Sequence, residues 1–118
     1  MSQLFLIRDL QGTQRFDARR VQAIMHRIQN ESRCGETNSN YQCFCEYDAS
    51  GDRTAAYMLA GENRWICIEG SGAASLSLAL SIAQQYGAEM LVTDLDHVVE
   101  ISPTRLPSVQ DLKTGLHL

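Results

Sequence analysis

The sequence predicts an α+β domain: a mainly antiparallel sheet of about five strands with two helices packed on it, in the order β-α-β-β-β-α-β(β). Three observations carry that reading. Val21, Ile24, Met25 and Ile28 fall at i, i+3, i+4 and i+7, a helical stripe. Residues 41–48 instead alternate with a period of two, Tyr41, Cys43, Cys45 and Tyr47 against Gln42, Phe44, Glu46 and Asp48. Short glycine-bearing turns then separate further strand-like runs, as in a meander. A chain of 118 residues, 44% of them hydrophobic, can build one core, so residues 1–118 are read as a single domain.

The elements follow in order. Residues 2–10 read as a first strand, with Leu4 and Leu6 on one side and Phe5 and Ile7 on the other. Gly12 and Thr13 end it, and Asp17 is placed to cap the first helix, which fades before Gly35. The polar run CGETNSN is a loop. YQCFCEYD is a strand, ASGD a tight turn and RTAAYML the return strand; Gly61, Glu62 and Asn63 turn the chain again into RWICIEG. Residues 74–86 form a helix with apolar residues around most of its circumference, so it is expected to be largely buried. Ser71 or Ser75 is expected to cap it, and Gly87 fits the C′ position. EMLVTD is a strand, and HVVEIS either continues it or pairs with it across a turn at Asp94–Asp96. Pro103 and Pro107 end regular structure, leaving residues 103–118 as a tail of ambiguous structure.

Charge and cysteine usage narrow the function classes. Basic and acidic residues balance over residues 1–60, so the whole excess of the −4 net charge lies in residues 61–118. Such a surface repels nucleic acid and attracts a basic partner. Arg15, Arg19, Arg20, Arg27 and Arg33 cluster on or around the first helix, but Asp17 and Glu31 interleave with them and no aromatic set accompanies them; they read as a solvated helix face. No run has the length of a membrane helix and no export signal is recognised, so Cys34, Cys43, Cys45 and Cys67 are expected as reduced thiols in a cytoplasm.

The stretch IEGSGAASLSLALSIAQQYGAEMLVTDLD poses the sharpest chemical question. A strand runs into Gly70 and Gly72, a helix follows, and the next strand ends at Asp94, which resembles the first βαβ unit of Rossmann-like methyltransferases. That likeness implies a binder of S-adenosylmethionine or a nucleotide, phosphate at the helix N-terminus and Asp94 on a ribose hydroxyl. The third glycine position is filled by alanine and serine, and too little chain follows Asp96 for the further βα units of a cofactor crevice. A turn into a buried helix is the preferred reading, and no cofactor is expected. Cys43, Cys45 and Cys67 lack metal-ligand spacing and read as core. No histidine among His26, His97 and His117 is tied by pattern to a nucleophile, and Gly70-Ser71-Gly72 is not a nucleophile elbow. Asp94 and Asp96 read as turn acids, and no enzyme is expected.

The segment from Arg64 to Ser102 resembles the C-terminal half of small bacterial immunity proteins from contact-dependent inhibition and type VI secretion systems. A Trp65-bearing strand leads through the Gly70–Gly72 turn into an Ala/Leu-rich helix, Gly87 and the acids Asp94 and Asp96. The resemblance implies a protein that binds and neutralises a cognate toxin, which for a nuclease means covering a basic substrate surface with an acidic face. Electrostatic steering would then speed association, and a buried centre would supply affinity. The expected contact acids are Glu46, Asp48, Asp52, Glu62, Asp94, Asp96 and Glu100, with Phe44 and Tyr57 as apolar anchors. A cofactor-binding domain and a structural or adaptor subunit are the alternatives.

Overall fold

The computed structural model describes residues 3–32, 43–49, 51–58, 61 and 63–118. The CGETNSN run, Cys34 and Glu62 lie outside them. The order is β1 (Gln3–Ile7), α1 (Ala18–Ser32), β2 (Cys43–Ala49), β3 (Asp52–Met58), β4 (Trp65–Glu69), α2 (Ala73–Tyr86), β5 (Met90–Thr93), β6 (Val98–Ile101) and α3 (Val109–Gly115). The six strands form one sheet in the order β2-β3-β4-β1-β5-β6, and all neighbours are antiparallel. The expected α+β class holds, with six strands and three helices among the described residues where about five and two were anticipated.

The two extra elements have local causes. HVVEIS does not continue β5; Asp94 closes a turn and β6 returns beside β5, with Thr93 opposite Val98 and Met90 opposite Ile101. The tail holds α3, nucleated by a capping box: the Ser108 side chain accepts from the Asp111 N–H, and the Asp111 carboxylate accepts from the Ser108 N–H.

The helices pack on one side of the sheet. Leu4 and Leu6 of β1, Ile66 and Ile68 of β4, and Met90 and Val92 of β5 join Val21, Ile24, Met25 and Ile28 of α1 in one core. Leu76, Leu78, Ala79, Ile82 and Ala83 of α2 complete it, with Leu112 and Leu116 from the α3 end. Each large side chain so buried contributes about 1.5–3 kcal/mol relative to an exposed one. Asp17 caps α1 as expected, its carboxylate accepting from the N–H groups of Arg19 and Arg20. Gly87 ends α2 in the left-handed region with its N–H on the Ala83 carbonyl. Among the described residues no helix is long and apolar enough to cross a membrane.

Candidate partner-binding face

The opposite face of the sheet is left without a helix among the described residues. In antiparallel strands alternate side chains point to opposite faces. With Leu4, Leu6, Ile66 and Ile68 in the core, Phe5, Ile7, Trp65 and Cys67 must face the other way. The register lays them in rows. Phe44, Tyr57, Cys67, Phe5, Thr93 and Val98 stand side by side across all six strands. A second row runs Trp65, Ile7, Leu91 and Glu100.

Large and small residues alternate in this surface. Cys67 and Thr93 are buried between larger neighbours, Phe5 and Ile7 are half-buried, and Trp65 and Val98 are 37% and 44% exposed. The Tyr57 hydroxyl accepts from Gln3 Nε2 at 3.0 Å, which ties β3 to β1 over the intervening strand. Burial pushes the Cys67 thiol up from its ordinary pKa, and a hydrogen bond with Tyr57 partly opposes that rise.

The structure brings together several of the expected contact residues. Phe44 and Tyr57 are directly opposite one another on this face, both half-buried. Glu46 and Asp48 share the face of Phe44, and Glu100 shares that of Leu91. Glu46 is paired with Arg53 at 3.1 Å, and Asp48 turns its carboxylate onto the Gly51 N–H. Asp52 stands apart from the face: its carboxylate accepts from the Ala74 N–H at 3.3 Å, at the start of α2. Glu62 lies outside the described residues.

Asp94 and Asp96 occupy the β5–β6 turn. Asp94 Oδ1 accepts from the N–H groups of His97 and Asp96 at 2.7 and 3.0 Å, which holds its carboxyl below the usual range, the His97 bond contributing most. The His97 ring stacks on that of His117 at 4.3 Å, fastening the turn to the residue after Leu116. Because β4 and β5 both run antiparallel to β1, this turn lies at the same end of the sheet as Glu69 and the β2–β3 turn. Asp48, Asp52, Glu69, Asp94 and Asp96 therefore gather at one end of the molecule. An open recess of about 370 Å³ lies there, between Phe5, Leu118, Asp94 and Asp96.

The same topology separates the β4-α2-β5 unit from a dinucleotide-binding one. β4, α2 and β5 do form a crossover with parallel strands, but β1 lies between those strands and runs against them. In a dinucleotide-binding unit the two strands are adjacent. Gly72 is the α2 N-cap without a side-chain cap of its own; neither Ser71 nor Ser75 serves, and Ser75 instead donates to the Glu69 carbonyl. Asp52 places its carboxylate where a phosphate would sit, and a Cβ on Gly72 would lie 3.1 Å from it. The three described cysteines do not converge either, since Cys43 and Cys45 are on the core face and Cys67 is on the open one. Among the described residues no group of three or more His, Cys, Asp or Glu side chains is arranged to hold a metal.

Sequence reasoning missed Trp65, Ile7, Leu91 and Val98 as members of this surface. The alternation of β1 was legible, but both of its sides are apolar, so periodicity alone could not say which one the helices cover. Comparison of the chain with protein-family models, curated proteins and solved structures finds no match.

Proposed function

We propose that this protein acts by binding another protein across its open sheet face, and that the partner is a bacterial toxin domain it holds inactive. The observation that carries the reading is the one-sided cover of the sheet. Among the described residues the helices lie on one face, while the other presents Phe5, Phe44, Tyr57 and Trp65 in and beside an apolar band. Aromatic residues in such a band are the usual anchors of a protein interface. The acids at one end supply the polarity: a partner with a basic surface is drawn in by the field and oriented by it. A toxin that acts on nucleic acid has such a surface.

The test is to look for a toxin domain encoded beside this gene and to co-express the two. Cells should survive toxin induction only when this protein is present, and the two proteins should purify together. Trp65→Ala should weaken the complex by roughly 2 kcal/mol or more, the scale of an interface anchor. The association rate should fall as salt rises. Survival that does not depend on this protein would overturn the reading. A complex indifferent to Trp65→Ala and to a charge change at Asp96 would remove the open face from it.

A further inference from the structure

The two edges of the sheet are treated differently. β2 is sealed by α1: the Glu46 N–H donates to Gln29 Oε1 at 3.1 Å, and the Cys43 thiol to the Ala18 carbonyl at 3.5 Å. β6 has no such cover. Among the described residues nothing pairs with its outer side, apart from Arg105, which bridges to Ser102 beyond the end of the strand.

The ladder shows which backbone groups that leaves. The Asp94 N–H donates to the His97 carbonyl, which sets the alternation of the hairpin. Val99 and Ile101 then spend their N–H and C=O groups on β5, and Val98 and Glu100 turn theirs away from it. Such a row is a template for another extended strand. The strand carries neither proline nor lysine to blunt it, and Glu100 points to the open face rather than along the edge.

β6 is complementary to itself. Antiparallel pairing about Val99 sets Val98 of one copy against Glu100 of the other, so that about four main-chain hydrogen bonds form and no acid faces an acid. The same register brings Asp96 level with Ser102 of the second copy, beside Arg105. Asp96 and Arg105 are both exposed, and neither is in an ion pair among the described residues. The acidic hairpin tip of each copy is thus brought near a basic group, Arg105, that flanks the strand in the other.

We propose that the protein forms a twofold dimer by pairing β6 with β6 of a second copy, joining the two sheets into one continuous sheet. Both open faces stay accessible, so the dimer stands independently of any toxin partner.

Sedimentation velocity over a concentration series tests this on the whole chain. The wild type should shift from monomer to dimer as concentration rises. Val98→Pro removes one outward N–H and leaves the β5 ladder intact, so it should weaken the dimer at least about tenfold at an unchanged unfolding temperature. Asp96→Lys and Arg105→Glu should each weaken it, and the double variant should restore it. A wild type that stays monomeric to its solubility limit overturns the proposal. So does a dimer that survives Val98→Pro with the fold intact, or one broken by Trp65→Ala instead. If Val98→Pro lowers the unfolding temperature, the charge set decides, and a double variant no better than the single ones overturns the proposal.

Discussion

Asp52 caps a helix to which it does not belong. Its carboxylate accepts from the Ala74 N–H across 22 positions of sequence, so rules that look for a cap close to the helix start point to Ser71 or Ser75 and miss it. Removing it with Asp52→Ala should cost about 1 kcal/mol, read as a lower urea midpoint, and Asp52→Asn, which keeps an acceptor, should cost less. An unchanged midpoint in the alanine variant would mean that water satisfies the helix start equally well. Asp94, by contrast, was legible as a turn residue, because an aspartate two and three positions before free N–H groups bonds them locally. Those bonds give stability a pH dependence of definite sign. The folded pKa lies below the unfolded value of about 3.9, so the contribution is present above about pH 4 and is lost as pH falls through the lowered folded value. Asp111, bonded by the N–H and hydroxyl of Ser108, shifts in the same sense. Asp94→Asn should therefore be less stable than the wild type at neutral pH, with the gap closing in acid. A gap of constant size from pH 7 to strong acid would show that the charge on Asp94 plays no part.

Single elements were legible where their signals are local. The α1 stripe with its Asp17 cap, and the buried α2 with its Gly87 terminus, are each set by residues close together in sequence, and each stands where the spacing placed it. The start of α3 has an equally local signal, Ser108-x-x-Asp111 ahead of Leu112, but Pro103 and Pro107 just before it read as the end of regular structure. Its box makes α3 sensitive to one atom: Ser108→Ala should cost about 1 kcal/mol and make the local opening that exposes Leu112 and Leu116 more frequent. Amide exchange across residues 109–116 would show this; equal protection in variant and wild type would mean that core packing alone holds the helix. The far end of α2 depends on other elements. Tyr86 sits under the guanidinium groups of Arg20 and Arg8, 4.5 and 5.5 Å from its ring, and its hydroxyl accepts from the Asp17 N–H. These arginines complement the negative pole of α2 from α1 and from the end of β1, which no pattern within α2 could announce.

At the scale of the molecule, the sequence leaves open how its strands are ordered and which of two apolar sheet faces meets the helices. β1 reads Leu4 and Leu6 against Phe5 and Ile7, and β4 reads Ile66 and Ile68 against Trp65 and Cys67, so either parity would serve as core. Only the pairing of distant strands decides it, and that pairing has no local signature. The cysteines turn this division into a measurement. Burial pushes the Cys43 thiol up to about 11 and the Cys45 thiol up to about 12 beneath the helices. Cys67 on the open face is also raised, but Tyr57 opposes the rise, and no helix lies over it among the described residues. In all three the folded pKa exceeds the unfolded value of about 8.5, so folding favours the thiols. Their contribution is complete below that pH and is lost as pH rises toward the folded values, so stability should decline through pH 9–11. The nucleophile toward iodoacetamide is the thiolate. Near pH 8 Cys67 should thus be alkylated before Cys43 and Cys45, which should react only once denaturant opens the core. Peptide mapping of the alkylated sites gives the order directly, and Tyr57→Phe should slow Cys67 by removing the hydrogen bond that favours its thiolate. Bound partner on the open face should protect Cys67 and leave the other two as they were. If Cys43 or Cys45 reacted first in the native protein, the helices could not lie on the side of the sheet that carries them, and the face assigned to a partner would be the wrong one.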